Sequence, residues 1–161
     1  CYVFWSQKFL FELKPIIESV GFTFQRMLIW YHPNLAKTTN RMYLWKYDPI
    51  FYFTKGDKPK TFHSIFGANY NTDVFIFPKP QGWGNRSRLH PAEKPLELVK
   101  ILIYNSSNEG DWVLDPFVGS GTTAVACKML NRNCLAIDIN PEYVRIAKER
   151  VSKPVLKRWF G

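Results

Sequence analysis

The size and the composition of the chain already exclude several kinds of protein. The chain has 161 residues, 46% of them hydrophobic, which is enough for one domain with a real core, and no apolar stretch approaches the ~18 residues that a membrane span needs. Three cysteines without a C-x-x-C pair and three widely spaced histidines give no metal motif, so we expect a soluble, cytoplasmic protein with reduced thiols. The net charge of +9 favours a polyanionic partner.

The first third of the chain predicts a strand-rich half built on aromatic residues. Apolar runs predict strands at 1–5, 22–31 and 50–54, and an apolar stripe at helical spacing predicts a helix over 7–20. Most of the aromatic side chains lie before residue 90, in alternating runs that are typical of buried strands. We therefore expect a sheet with one helix against it.

The next segment, 57–88, differs in character. It shows no convincing period and is rich in glycine and proline, so we expect mostly loop with a short strand at 74–77. Between residues 55 and 88 the chain carries six basic residues against two acids. Because a long loop inside a compact domain is usually functional or disordered, this basic segment is a candidate contact region.

The strongest pattern lies at 111–138 and reads as strand, glycine loop, helix, strand and acid. The first strand ends at Asp115, Thr122 opens the helix, and Asp138 closes the second strand. The loop glycines, Gly119 and Gly121, allow left-handed backbone angles and close approach of a ligand, and the first amides of the helix have no internal partner. An acid that ends the second strand can hold the hydroxyls of a ribose. The pattern predicts a nucleoside-cofactor site.

A dinucleotide and S-adenosylmethionine both fit the glycine spacing, and Asp115 distinguishes between these two cofactors. The residues from Gly119 to Ala124 match the G-x-G-x-x-A pattern of dinucleotide binding, with Asp138 at about the expected distance of ~20 residues. A pyrophosphate in this loop would face the carboxylate of Asp115, whereas the ammonium and sulfonium of S-adenosylmethionine would be attracted to it. The residues therefore favour S-adenosylmethionine.

Three segments of the sequence closely resemble the DNA amino-methyltransferases that modify adenine N6 or cytosine N4. They read HPAEKP at 90–95, DPFVGSGTT at 115–123 and AIDINPEY at 136–143. Their order matches the permuted group of that family, in which the cofactor half follows the catalytic half. The resemblance implies an α/β, Rossmann-like S-adenosylmethionine-dependent methyltransferase fold, with a mixed sheet flanked by helices. It also implies a site-specific enzyme of restriction-modification, with adenine N6 preferred over cytosine N4.

The resemblance also implies how the chain is divided. Within a single, partial methyltransferase domain, residues 1–56 would form the substrate-side half, 57–88 a short DNA-recognition insert, 89–151 the cofactor-binding half and 152–161 a basic tail. Double-stranded DNA is the expected partner, and its phosphates would be contacted by four basic side chains of the insert, namely Lys58, Lys60, Arg86 and Arg88. The oligomeric state stays open.

Roles in the cofactor half follow from the same resemblance. Asp115 would face the methionine ammonium, Thr122 or Thr123 would face the methionine carboxylate, and Asp138 would hold the ribose. The part of the loop that lies closest to the cofactor would consist of Pro116, Phe117, Gly119 and Gly121. The segment with His90, Lys94 and Pro95 would lie beside the cofactor, with Lys94 near the methionine carboxylate. Alternatively, Glu93 and Lys94 are a capping pair at a helix start.

The catalytic motif of the family is absent from this sequence. That motif is Asp, Asn or Ser followed by two prolines and an aromatic residue, and the nearest strings, 48–51 and 140–143, lack the second proline. The permuted order places it upstream of Cys1, so we expect an N-terminally truncated, inactive fragment that lacks its catalytic strand and leaves a gap in the sheet. Two alternatives remain: a non-catalytic DNA-binding module or remnant with a cofactor fold, or an amino-methyltransferase that acts on RNA or protein.

Overall fold

The computed structural model describes residues 1–34, 43–63, 72–80 and 92–154. The chain divides into two compact units, Cys1–Pro78 and Lys79–Gly161. The described residues contain six strands and four α-helices, in the order β1 (Tyr2–Phe4), α1 (Leu10–Ser19), β2 (Thr23–Tyr31), β3 (Tyr47–Thr54), β4 (Val74–Ile76), α2 (Leu96–Ser106), β5 (Trp112–Asp115), α3 (Thr122–Met129), β6 (Asn133–Ala136) and α4 (Pro141–Ser152).

The first unit is a mixed four-stranded sheet with the order β1-β3-β2-β4. β3 pairs antiparallel with β1 and β2, whereas β4, which comes from the predicted 57–88 insert, pairs parallel with β2. Leu13 of α1 packs with Phe51 and Phe53 of β3 in a buried cluster, as the apolar stripe of the helix predicts. The predicted strand-rich half with one helix is therefore confirmed.

β3 begins at Tyr47, three residues before the predicted start at Ile50, although Pro49 lies inside it. In an antiparallel ladder the amide and carbonyl of one residue point to the same side. The Pro49 carbonyl accepts a bond from the Trp5 amide at 3.1 Å, just beyond the end of β1, so the missing N–H of Pro49 faces away from β2. The proline therefore removes no hydrogen bond between β2 and β3, and the sheet tolerates it.

The second unit contains a parallel pair, β5 and β6, connected by α3. Alternate residues of both strands, among them Val113 and Cys134, pack against a core formed by α2 and α3. Residues on the opposite face are exposed, as Trp112 illustrates with 74% of its surface accessible. β6 begins at Asn133, two residues before the predicted start at Leu135, because its register with β5 extends back to Trp112.

The α/β class and the mixed sheet predicted from the sequence are confirmed. α2 extends two residues beyond the predicted end at Tyr104, and α4 begins at Pro141, with the Asn140 side chain accepting the Glu142 amide at 2.9 Å. Across the described ranges, no helix combines the length and apolar character needed to cross a bilayer, and no group of three metal-binding side chains occurs.

The two cysteines of the second unit, Cys127 and Cys134, are free in the structure. Cys127 is buried in α3 and Cys134 is half-buried in β6, and both contribute to the same apolar cluster. The hydrogen bond between the two sulfur atoms, followed by burial, raises the pKa of the Cys127 thiol well above its usual range. Cys127 therefore stays neutral and acts as a small apolar residue of the core.

Candidate functional site

The glycine loop, defined here as residues 116–121, leaves β5 through a tight turn. Asp115 ends the strand, and its Oδ1 accepts the Phe117 amide at 3.0 Å, which fixes the carboxylate at the mouth of the loop. Gly119 and Gly121 have φ values of 49° and 86°, so the predicted left-handed conformations are confirmed. The sequence therefore folds into a short loop with one carboxylate at its mouth.

The end of β6 holds one side of the glycine loop. The Val118 amide donates to the Ile137 carbonyl at 2.9 Å, and the Gly119 amide donates to Asp138 Oδ2 at 2.8 Å. Asp138 Oδ1 accepts the Asn140 amide at 2.9 Å, so both carboxylate oxygens already bind backbone. Asp138 therefore fixes the conformation of the loop at the end of β6.

α4 supports the other side of the loop. Gly121 packs so closely on this helix that a Cβ atom there would lie 2.7 Å from the Cα of Ala147. Arg150, in the last turn of α4, donates through Nη1 to the Ser120 carbonyl at 2.8 Å and to the Ser120 hydroxyl at 2.9 Å. The same nitrogen lies 3.4 Å from the Thr122 hydroxyl. The loop is thus held between β6 and α4.

The two candidate threonines at the start of α3 have different surroundings. Thr122 is buried, and its hydroxyl faces Arg150 inside the unit. Thr123 is only partly buried, and Gly121 at the helix N-cap has no side chain that could satisfy the first amides. Of the two hydroxyls, that of Thr123 is therefore the better placed to meet a ligand.

The structure does not support the capping alternative for the segment before α2. Pro95 is the N-cap of α2 and no side chain caps the helix, so the capping interpretation of Glu93 and Lys94 is wrong. Glu93 forms an ion pair with Arg150 at 3.0 Å, and Lys94 donates to the Ala92 carbonyl at 3.1 Å. Pro95 is buried, and His90 lies outside the described residues.

Exposed apolar side chains occur in the glycine loop and directly after Asp138. Ile139 is fully exposed, and Phe117 in the glycine loop is 86% exposed. A shallow depression of about 460 Å³ next to the end of β6 is lined by Asp138, Ile139, Pro141, Val144, Arg145 and Lys148. An open apolar surface beside an acid is suited to a nucleoside, because a base can pack on the surface while the acid holds the sugar.

The structure brings one group of the predicted residues together. The glycine-loop group belongs to the connection between β5 and α3 or to the strand end that holds it, and it consists of Asp115, Phe117, Gly119, Gly121 and Asp138. The predicted DNA ligands Lys58 and Lys60 are exposed on the segment after β3. Arg86 and Arg88 lie outside the described residues.

Sequence reasoning missed two residues of this site, Ile139 and Arg150. Ile139 directly follows the acid that closes β6, and its position in an otherwise polar 138–142 stretch is a signal that could have identified it. Arg150 gave no comparable signal, because one arginine in the last turn of a helix is ordinary. Its role depends on partners from distant parts of the chain.

Comparisons with known proteins agree with this geometry. A family model described as DNA methylase matches residues 1–149. The type II methyltransferase M.HpaI of Haemophilus parainfluenzae is 38% identical over 93% of this chain and 52% of its own length. The DNA adenine methyltransferase YhdJ of Escherichia coli is 29% identical over 81% of this chain and 53% of its own length. The chain thus spans about half the length of these curated relatives.

A solved structure is similar in both sequence and fold. The crystal structure of the M1.HpyAVI–SAM complex matches with a TM-score of 0.81 and 30% identity, over 94% of this chain and 74% of that one. The PvuII cytosine-N4-specific DNA methyltransferase matches with a TM-score of 0.72 at 22% identity, over 88% of this chain and 55% of that one, which is evidence for the fold alone. Both comparisons agree with the Rossmann-like fold predicted from the sequence.

Proposed function

The chain belongs to the DNA methylase family, and we propose that it forms the cofactor-binding part of a site-specific DNA methyltransferase that uses S-adenosylmethionine. The observation that carries this proposal is the glycine loop, whose mouth holds the Asp115 carboxylate and whose far side is bound to Asp138. A carboxylate at the mouth suits a cationic cofactor and opposes a pyrophosphate.

The methionine end of the cofactor fits the loop and the helix start. Asp115 would accept the ammonium, since its carboxylate is fixed by the Phe117 amide. Thr123 and the first amides of α3 would receive the methionine carboxylate, because a helix N-terminus favours an anion. Lys94 would approach the same carboxylate from the segment before α2, which lies in the same unit.

The adenosine end fits the surface next to β6. Asp138 would accept the ribose hydroxyls, because an acid that follows the second strand of a strand, glycine loop, helix and strand unit can hold them. Ile139 would support one face of the adenine ring, because it is fully exposed and lines the adjacent depression. Phe117, with most of its ring exposed, would cover the cofactor from the loop side.

The proposed reaction is a direct displacement. S-adenosylmethionine would supply an electrophilic methyl group. The exocyclic amine of the base would form the new N–C bond while the C–S bond breaks and S-adenosylhomocysteine leaves, and the amine would lose one proton to an acceptor of the base pocket. The base must leave the stack and enter a pocket with acceptors for its amine hydrogens. The sequence holds no acid-or-polar, Pro-Pro, aromatic motif for this purpose, and we place that motif on a segment outside these 161 residues.

The substrate proposal is double-stranded DNA, with adenine N6 preferred over cytosine N4 and a role in restriction-modification in the cytoplasm. The net charge of +9 supports a polyanionic substrate. Lys58 and Lys60, both exposed, are proposed phosphate ligands together with Arg86 and Arg88. A second candidate function is a DNA-binding module that binds the cofactor without transferring its methyl group, which the missing motif favours.

The test is a binding measurement on the Asp115→Asn variant of the protein expressed from its complete coding sequence. By calorimetry, we expect the Kd for S-adenosylmethionine to rise about 10- to 100-fold, because a charged hydrogen bond is lost. The Kd for adenosine, which has no ammonium, should change less than about twofold. The matched control is Asp111→Asn, which changes an exposed acid just before β5.

A wild-type protein that does not bind S-adenosylmethionine would contradict the cofactor assignment. Equal weakening of adenosine and S-adenosylmethionine by Asp115→Asn would indicate a collapsed loop and would contradict the role of Asp115 as the partner of the ammonium. The same protein separates the two candidate functions. Cofactor binding with methyl transfer to DNA supports the enzyme, and binding without transfer supports the module.

A further inference from the structure

Arg150 connects three parts of the second unit that are distant in sequence. Its Nη1 atom lies within 3.0 Å of the Ser120 carbonyl, the Ser120 hydroxyl and Glu93 Oε1, and within 3.4 Å of the Thr122 hydroxyl. One guanidinium nitrogen carries two hydrogens, so the Ser120 carbonyl and the two hydroxyls share them in three-centre bonds, whereas Glu93 contacts the nitrogen as an ion pair. The glycine loop, the start of α3 and the segment before α2 therefore meet at a single cation.

The surroundings of this cation make its contacts strong. The side chains of Arg150 and Glu93 are only 20% and 16% exposed, and Ser120 and Thr122 are buried. Partly desolvated charged hydrogen bonds are stronger than those between exposed groups, and loss of one partner leaves the other charge or hydroxyl without compensation. The ion pair between Arg150 and Glu93 therefore differs from the exposed ion pairs of Arg145 on the same helix.

Arg150 and Asp138 bind neighbouring residues of the loop. Asp138 binds the Gly119 amide, whereas Arg150 binds the carbonyl and hydroxyl of Ser120. Ala147, one turn before Arg150 on α4, lies directly against Gly121, the next residue of the loop. Three successive residues of the loop are thus held by contacts with Asp138 and α4.

We propose that Arg150 is a positioning residue that holds the glycine loop and the Glu93–Lys94 segment in one arrangement, and so sets the affinity for S-adenosylmethionine without contacting it. This inference rests on the proposed function. The ion pair with Glu93 fixes the backbone next to Lys94, and the bonds to Ser120 fix the loop that follows Asp115. Asp115 and Lys94, two of the groups proposed to bind the methionine end, therefore depend on one side chain.

The test compares Arg150→Lys, Glu93→Gln and the double variant in the protein expressed from its complete coding sequence. Lysine keeps the charge but lacks the planar fork of arginine. We expect each single variant to raise the Kd for S-adenosylmethionine about tenfold, and the double variant to raise it by less than the product of the two effects, because both act on one interaction. The KM for DNA should change less than about twofold.

The matched control is Lys128→Ala. Lys128, in the last turn of α3, donates to the Val151 carbonyl at 2.6 Å and to the Lys153 carbonyl at 3.0 Å, so it connects α3 to the end of α4 through bonds that do not involve the loop. We expect this variant to lower the Tm and to leave the Kd for S-adenosylmethionine within about twofold of wild type. The control separates a general loss of stability from a loss of positioning.

Three outcomes decide the inference. The inference is supported if Arg150→Lys raises the Kd for S-adenosylmethionine and Lys128→Ala does not. If wild type binds S-adenosylmethionine and Arg150→Lys binds equally well, the inference is overturned and the proposed function stands. If wild type does not bind the cofactor, the proposed function and the inference both fail.

Discussion

The two units of the chain use their polar groups in different ways. In the second unit, Asp115 and Asp138 lie at the ends of parallel strands, where they bind backbone amides of one loop and are partly exposed. In the first unit, His32 and Asp48 are buried within the sheet region, with 3.2 Å between Nε2 and Oδ2. The carboxylates of the second unit thus lie at partly exposed strand ends, whereas the polar pair of the first unit is buried.

Among the substitutions that test this difference between the units, Gly121→Ala should have the largest effect on cofactor binding. The residue has a φ of 86°, and its Cβ would lie 2.7 Å from the Cα of Ala147. Left-handed strain of about 1–2 kcal/mol and overpacking of about 1–3 kcal/mol should displace the loop from α4. We expect loss of detectable S-adenosylmethionine binding in calorimetry together with a lower Tm. Unchanged binding would show that the loop is not held against α4.

A smaller effect, on stability alone, is expected from Asp48→Ala in the first unit. The substitution removes the carboxylate next to the buried His32, which should lower the free energy of unfolding by about 1–3 kcal/mol in urea denaturation. Asp48→Asn, which retains one acceptor oxygen, is the matched control and should lose less. A weaker affinity for S-adenosylmethionine, at a temperature where the variant is folded, would contradict the purely structural role of this pair.

The smallest effect is expected from Lys58→Ala combined with Lys60→Ala. Both side chains are exposed, so stability should be unchanged, and each lost phosphate contact should reduce the slope of log affinity against log salt by about 0.9. The measurement is DNA binding over a range of salt concentrations. Lys14→Ala, on α1, is the control and should leave the slope unchanged. An unchanged slope in the double variant would show that these lysines do not contact the DNA phosphates.

The features that the sequence predicted correctly are those that depend on near neighbours. The glycine loop could be identified from Asp115, Gly119 and Gly121, because a strand end and two left-handed residues form a local turn. The start of α4 was recognisable from Pro141, since a proline at the first helical position acts within one turn. Strands and helices with a clear apolar period were predicted for the same reason.

The features that sequence reasoning could not supply depend on distant partners. The early start of β3 at Tyr47 is compatible with Pro49 only because the Pro49 carbonyl meets the Trp5 amide beyond the end of β1, which no local pattern reveals. The role of Arg150 requires Glu93 and Ser120 to meet at the end of α4. These arrangements follow from packing, and the periodicity of each segment contains no information about them.

The decisive measurement is the transfer of a tritiated methyl group from S-adenosylmethionine to unmethylated double-stranded DNA. The protein is expressed from its complete coding sequence, and the DNA is then digested to nucleosides, which are separated. We expect the label in N6-methyladenine, or in N4-methylcytosine if cytosine is the target base. Label that appears only in RNA or protein, or cofactor binding without any transfer, would contradict the assignment as a DNA methyltransferase.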